Sequence, residues 1–295
     1  MQNIQNHPLA GARDLDSAMN KLWDFYKKYF VGLYLISLVA AILSSLISAS
    51  LDLSGIQSTT DLNEMLATMK GMILPYSLLM VVSFVMGVIL HAYVLEKPLE
   101  HFSLLSMLSN SLIALLPYLL TIIVMGIAAS VIIAAGFIML ILPGLFAIMY
   151  CGTIIVFALP VTLAESRNPG TIIERSFRLA HRNLWPNMGW LIVVVLIVMV
   201  ISLLLAGIVM LPFTGTFIKS FSNPENAGAL LEMAKNPVYI ALNSVTSAFI
   251  TPVIPILAFI LYFRNRQDVE AEYVKPVEEN RVTVEDLYPK MPDKE

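Results

Sequence analysis

The polar side chains most able to do chemistry in this sequence lie inside long apolar runs, and nearly all of them are uncharged. The densest group starts at Asn243 and continues to Thr251, just before Pro252 and Pro255. Hydroxyl and amide groups of this kind most often bond to the backbone or to a neighbouring helix. With tyrosines from two other runs they form a candidate neutral pocket, which comprises Tyr118, Tyr150, Asn243, Ser244, Thr246, Ser247 and Thr251.

A second group combines opposite charges where an apolar run ends. Glu165 stands at that end, and Arg175 and Arg178 follow it across a turn at residues 168–170. Because the turn lets the chain fold back, we predict that Glu165 pairs with Arg175 or Arg178. The candidate contacts for a partner protein or an anionic lipid are Glu165, Arg175, Arg178, Arg182 and Trp185.

Patterns typical of enzymes and of ion-coupled transporters are absent from the sequence. It has no glycine-rich phosphate loop, no HExxH motif and no nucleophile elbow, and its apolar runs hold no series of acids that could relay protons. The one cysteine, Cys151, cannot form an internal disulfide, and the four histidines are scattered. We therefore expect no catalytic residues, no cofactor and no metal. The net charge of −3 gives no indication of nucleic-acid binding.

The composition indicates that lipid is the solvent for most of the chain. Only 13% of the residues are charged, whereas a soluble domain carries about 25%. A helix needs about 20 apolar residues to cross a bilayer. Four runs satisfy this, and residues 111–164 are long enough for two crossings with a turn near Gly136 or Pro143. The predicted fold class is an all-α polytopic membrane helix bundle with six spans, at residues 29–50, 72–94, 111–135, 143–164, 187–212 and 238–263.

The positions of lysine and arginine predict how the bundle is oriented. All 18 basic residues except Lys70, Lys219 and Lys235 fall on the side that also holds both chain termini. Basic residues are enriched in cytoplasmic connections. Both termini are therefore predicted to be cytoplasmic.

Two segments outside the spans are predicted to be amphipathic helices that lie along the cytoplasmic interface. The first occupies residues 15–28 and places Trp23 on its apolar face. The second occupies residues 171–183, and Thr171 with Glu174 forms a capping box at its start.

Shorter helices are predicted on the other side of the membrane, at residues 60–70 and 223–235. The order of interfacial helix, span, outer helix and span then occurs twice, which is a possible two-fold internal repeat. Any two-span unit would also give this order. The predicted domains are a cytoplasmic N-terminal segment at 1–28, a six-span membrane domain at 29–263 and a cytoplasmic tail without structure at 264–295.

One stretch of the chain is similar to a known family. Its motifs are Leu142-Pro143-Gly144, Ala164-Glu165-Ser166, Ser176-Phe177-Arg178-Leu179 and Asn183-Leu184-Trp185. They cover residues 142–191 and resemble the six-span bacterial family that includes the membrane domain attached to some glycerophosphodiester phosphodiesterases, together with stand-alone members of unknown function. The resemblance implies a bacterial inner-membrane location. It does not imply phosphodiesterase activity, which belongs to a separate soluble barrel that this sequence does not contain.

These observations favour a non-catalytic integral inner-membrane protein that organises, supports or senses envelope components or lipids through its interfacial helices. Its expected partners are the lipid bilayer and an anionic lipid or a membrane protein, with no nucleic acid. The alternative is a passive or lipid-handling transporter that uses the neutral polar pocket. A membrane-bound enzyme is a third hypothesis.

Overall fold

A computed structural model describes residues 7–51, 62–216, 218, 233 and 235–274, and most of these residues are helical, with no β-strand among them. The all-α fold class is therefore confirmed. In chain order, the helices with defined bounds in this part are α1 (Leu15–Lys28), α2 (Phe30–Ala49), α3 (Leu62–Glu96), α4 (Leu104–Met139), α5 (Ile141–Ile155), α6 (Ala158–Ala164), α7 (Pro169–Arg182), α8 (Leu184–Met210), α9 (Pro237–Ile250) and α10 (Val253–Val274). A short 3₁₀ turn, Leu211–Phe213, follows α8.

Six helical segments of the described chain are long and apolar enough to cross a membrane. They are Phe30–Ala49, Leu66–Glu96, Leu104–Met139, Ile141–Ala164, Leu184–Thr216 and Pro237–Arg266. Many large apolar side chains on these segments point outward, such as Leu105 and Ile138. Soluble proteins rarely expose continuous apolar patches above a few hundred Å². The chain is thus a multi-pass membrane protein, and the predicted count of six spans is confirmed.

The third span is longer than predicted. It begins at Leu104, seven residues before the predicted start, and its 36 residues end at Met139. At about 1.5 Å per residue such a helix is roughly 54 Å long, and a hydrocarbon core is about 30 Å thick. The span must therefore tilt or extend beyond the hydrocarbon.

The turn between the third and fourth spans lies between the two predicted breakers. Leu140 alone interrupts the helix, in an extended conformation, so neither Gly136 nor Pro143 marks the break. Gly136 serves another purpose, because a Cβ added to it would lie 3.0 Å from the Cα of Gly144. The two glycines let α4 and α5 approach closely beside the turn.

Two other predictions of local structure need correction. Residues 62–70 are the first turns of α3, so the predicted separate outer helix at 60–70 is wrong. The second outer helix, at 223–235, lies almost wholly outside the described residues. In the predicted unstructured tail, α10 continues to Val274, because the helix of the last span carries on past its apolar part. The two-fold repeat stays a prediction.

The buried core lies at one end of the bundle, which we call the packed end. It carries α1, α7 and the connection between α3 and α4. There α1, α3, α6, α7 and α8 all pack against α10. Residues 256–263 of α10 are consequently at most 3% exposed. The opposite end, which we call the far end, carries the turn between α4 and α5.

The sixth span is broken at Thr251 and Pro252, between α9 and α10. Proline has no N–H to continue a helical ladder. The hydroxyl of Tyr26 in α1 donates to the carbonyl of Phe249 beside the break, at 2.9 Å. The first helix of the chain therefore satisfies a backbone group of the last span.

Helix α1 presents its apolar face to the protein. Leu22, Phe25 and Tyr26 are buried, whereas Trp23, the predicted aromatic anchor, is 54% exposed. The Asp14 carboxylate accepts from the backbone N–H of Ser17 and caps the helix. Hydrogen bonds from Ser17 also lower the pKa of Asp14.

Candidate functional site

Helix α7 is held at the packed end by a cap that differs from the predicted one. The side-chain oxygen of Asn168 accepts from the backbone N–H groups of Gly170 (3.0 Å) and Thr171 (3.3 Å), and Pro169 occupies the first helical turn. A capping side chain must come from the residue just before the first helical residue, which is Asn168. Thr171 is already inside the helix. The predicted capping box of Thr171 and Glu174 is therefore wrong.

The predicted ion pair of Glu165 is present, with Arg175 as its partner. Arg175 Nε lies 2.6 Å from Glu165 Oε2, and Arg175 Nη2 lies 3.3 Å from Oε1. This hydrogen-bonded pairing raises the pKa of Arg175. The hydroxyl of Tyr262 donates to the same carboxylate at 3.0 Å and accepts from Arg266 at 3.1 Å. The cluster joins the end of α6 to α7 and α10.

A pair of buried asparagines extends this cluster. Asn187 and Asn265 are both 0% exposed. Asn265 Nδ2 donates to Asn187 Oδ1 at 2.9 Å and to the carbonyl of Leu261 at 2.8 Å. Asn187 Nδ2 donates to the carbonyl of Ala180 at 3.1 Å, in the last turn of α7. Since each amide finds partners in a low-dielectric interior, the network fixes how α7, α8 and α10 are arranged.

The other predicted contact residues of α7 face outward or elsewhere. Arg178 pairs with Glu174 rather than with Glu165, and both side chains are largely exposed. Arg182 is partly buried. Trp185 is 69% exposed in the first turn of α8, and its ring centroid lies 5.9 Å from that of Phe146. The Arg175 side chain is therefore used in a contact within the protein, whereas Arg178 and Trp185 are on its surface.

The predicted polar pocket corresponds in part to a cavity of about 540 Å³ between α2, α3 and α9. Asn243, Ser247 and Thr251 line it, as predicted. Ser244 lies beside it, and its hydroxyl donates to the hydroxyl of Ser45 at 3.1 Å. Thr246 instead bonds to backbone carbonyls of its own helix. The polar residues of the lining are Ser44, Ser45, Ser48, Ser83, Tyr239, Asn243, Ser247 and Thr251.

The two predicted pocket tyrosines lie elsewhere, because they belong to α4 and α5, which do not border this cavity. Tyr118 stacks on Phe84, with ring centroids 5.2 Å apart. The hydroxyl of Tyr150 lies 3.0 Å from His181 Nε2, and its ring lines a smaller apolar cavity of about 180 Å³ with Cys151. Including Tyr118 and Tyr150 in one pocket with Asn243 was therefore wrong.

Several residues of these sites were missed in the sequence. Asn265 lies between two arginines in the predicted tail at 264–295, although an amide directly after an apolar run is a signal for a buried network. Ser44, Ser45 and Ser48 lie along one helical face, because Ser48 follows Ser44 by four residues and Ser45 by three. That spacing was the available signal for a hydroxyl-lined wall.

Comparison of this chain with models of protein families, with curated proteins and with solved structures found no match. The resemblance of residues 142–191 to the six-span bacterial family stays a prediction. Within the described residues, no three His, Cys, Asp or Glu side chains are grouped as a metal site.

Proposed function

We propose that this chain is a non-catalytic protein of the bacterial inner membrane that organises or senses membrane components through α1 and α7 at the cytoplasmic surface. The observation that supports this function is that both helices pack against the same buried stretch of α10. Membership of the six-span bacterial family that residues 142–191 resemble is part of the same proposal.

The contacts of α1 explain how a surface helix is coupled to a span. In addition to the bond from Tyr26 to Phe249, the ring of His7 stacks on Phe25 and Phe263, with centroids 6.0 and 4.7 Å apart. His7 Nε2 also lies 3.2 Å from the carbonyl oxygen of Val94. A partner or lipid that moves α1 would therefore act on the sixth span as well.

The contacts of α7 couple that helix to α10 as well, through Glu165, Arg175 and Asn187. Its outward residues are the ones that anionic lipid or a partner protein would contact. A basic residue near an anionic membrane surface contributes about 1 kcal/mol of binding free energy. Because Arg175 is bound to Glu165 and Arg178 is paired with Glu174, the α7 surface offers less basic charge than its sequence suggests, and Arg178 is its exposed arginine.

A comparison of Arg178→Gln with Arg175→Gln tests this function. We expect purified Arg178→Gln to keep the wild-type unfolding temperature while retaining less anionic phospholipid or partner protein, as measured by mass spectrometry. Arg175→Gln serves as the structural control and should lose stability. An Arg178→Gln variant that retains the same lipids and proteins as wild type would argue against binding through α7.

The proposed orientation is tested by cysteine labelling in a Cys151→Ala background. A cysteine at Ser50, in the far end, should react with an impermeant thiol reagent added outside the inner membrane. A cysteine at Ser166, in the packed end, should react only after the membrane is opened. The reverse pattern would place the surface helices outside the cytoplasm.

The cavity between α2, α3 and α9 supports a second candidate function, that of a passive or lipid-handling transporter. Its volume of about 540 Å³ falls in the usual range of ligand pockets, about 300–1,000 Å³. We expect vesicles containing the protein to exchange a fluorescent lipid between leaflets faster than protein-free vesicles, by a dithionite quenching assay. Equal rates would argue against transport.

A further inference from the structure

The polar wall of the cavity between α2, α3 and α9 contains an amide without a protein partner. In the described part of the chain, the side-chain amide of Asn243 makes no hydrogen bond, and neither does the hydroxyl of the nearby Ser247. An amide can donate two hydrogen bonds and accept two. Leaving it unpaired within a membrane-spanning helix is unfavourable. Asn243 is therefore placed to bind a polar group inside the cavity.

The lining changes in polarity along the membrane normal. Toward the packed end it is mainly apolar, with Ile36, Met86 and Leu90, although Ser247 and Thr251 also lie there. Toward the far end the lining is mostly polar, and its polar members are Ser44, Ser45, Ser48, Ser83, Tyr239 and Asn243. This distribution matches a molecule with a polar head and an apolar tail.

The charge of the lining restricts the head group. Every polar residue that the structure places in this wall is neutral, with hydroxyl or amide groups only. A phosphate or carboxylate in such a site would lack a basic partner, and an isolated charge is costly to bury. Hydroxyl and amide groups suit a head group that carries hydroxyls.

We propose that this cavity binds an uncharged amphiphile of the acylglycerol type, with its hydroxylated head beside Asn243 and its acyl chain directed toward Ile36 and Leu90. The inference rests on the second candidate function and identifies its ligand class. Because Asn243 lies on α9, just before the break in the sixth span, the bound head group holds α9 against α2.

A cavity-filling variant tests the site with little risk to folding. Gly87 of α3 lines the cavity, and a Cβ added to it would meet no atom within 4 Å. Gly87→Leu should therefore fill the cavity without moving the backbone. Gly126 of α4 has equally open surroundings and does not line the cavity, so Gly126→Leu is the matched control. Asn243→Leu removes the amide, and Thr246→Val is its control on the same helix.

The probe is monooleoylglycerol, with binding to the purified protein followed by native mass spectrometry. We expect Asn243→Leu to bind about tenfold more weakly than wild type, since a buried polar contact is lost. Gly87→Leu should bind at least tenfold more weakly, and both controls should remain within about twofold of wild type. Lysophosphatidylglycerol, which adds a negatively charged phosphoglycerol group, should bind wild type at least tenfold more weakly than monooleoylglycerol.

The outcomes separate the ligand class from the function on which it rests. If wild type binds lysophosphatidylglycerol as tightly as monooleoylglycerol and Gly87→Leu weakens both, the uncharged class is overturned while lipid handling survives. If Gly87→Leu and Asn243→Leu bind monooleoylglycerol as wild type does, the site is overturned and the second candidate function loses its cavity. Selective loss in these two variants alone supports the proposal.

Discussion

Apolar side chains at the packed end are enclosed by other helices, whereas those at the far end point outward. Residues 256–263 of α10, at the packed end, are at most 3% exposed, whereas Ile138, Leu140 and Leu142 beside the far-end turn are 86%, 70% and 78% exposed. The polar groups differ in the same way. At the packed end Asn187 and Asn265 bond to each other, while Asn243 faces the cavity nearer the far end.

This difference indicates which end holds a fixed shape and which can receive a ligand. Lipid already solvates apolar side chains, so burial of a spanning helix is not driven by escape from water. Close packing and buried hydrogen bonds must then hold the packed end together. Among the described residues, the far end has fewer such constraints, and the open space between its helices is where a small amphiphile fits.

Truncating one side chain at each end should give the largest contrast. Phe259 is 0% exposed, and Phe259→Ala should lower the free energy of unfolding by about 3–5 kcal/mol because it leaves a cavity. Ile138 is 86% exposed, and Ile138→Ala should change it by less than about 0.5 kcal/mol. Unfolding in mixed detergent micelles measures both. Similar losses would mean that the two ends are equally packed.

Acidification should weaken the packed end through His7. Burial lowers the pKa of His7 from 6.5 to about 4. Above pH 6.5 the imidazole is neutral in both the folded and the unfolded chain, so its contribution is constant. Between pH 6.5 and about 4 only the unfolded chain binds the proton, and the free energy of unfolding should fall by about 3 kcal/mol in total.

His7→Phe keeps an aromatic ring and removes the titrating group, so it is the control for this pH dependence. The stability difference between wild type and His7→Phe should vary between pH 6.5 and about 4 and stay level at higher pH. A difference that is constant over this range would show that His7 is not buried against Phe263.

A double-mutant cycle compares an enclosed ion pair with an exposed one. The side chains of Arg175 and Glu165 are 21% and 15% exposed, and those of Arg178 and Glu174 are 48% and 65% exposed. We expect a coupling energy of about 2 kcal/mol for the first pair and below about 0.5 kcal/mol for the second. Glutamine substitutions and unfolding measurements supply both values. Equal coupling energies would contradict the enclosure of the first pair.

The sequence predicted the parts of the fold that depend on local composition. The six spans, α1 and α7 follow from apolar runs and from charges at their ends, and the short separation of Glu165 from Arg175 made their pairing predictable. Partners far apart in sequence were not predictable in this way. Asn187 and Asn265 are 78 residues apart, and only the packing of α8 against α10 brings their amides together.

The candidate pocket shows the same limit. Asn243, Ser247 and Thr251 were found because they belong to the dense polar group that runs from Asn243 to Thr251, just before two prolines. The serines that complete the wall come from α2 and α3, and their contribution depends on which helices are neighbours. Tyr118 and Tyr150 were included wrongly for that reason, since side-chain type alone does not identify the neighbouring span.

The smallest expected effect concerns Gly136, near the far end, where the backbones of α4 and α5 approach closely. A Cβ on Gly136 would lie 3.0 Å from both the Cα of Gly144 and the carbonyl oxygen of Pro143. Because backbone atoms cannot turn aside as a flexible side chain does, Gly136→Ala must push α4 away from α5. We expect the free energy of unfolding to fall by about 1 kcal/mol, despite the better helix propensity of alanine.

Gly126→Ala, in the same helix with no atom within 4 Å of its Cβ, should instead raise the free energy of unfolding by about 0.5 kcal/mol. Both variants replace a glycine of α4 by alanine, so they share the gain in helix propensity. Opposite signs of the two changes would therefore show the effect of the close contact at Gly136. If both variants were stabilised, the two arms of the hairpin would be free to separate, and the far end would have no tightly packed backbone contact at this turn.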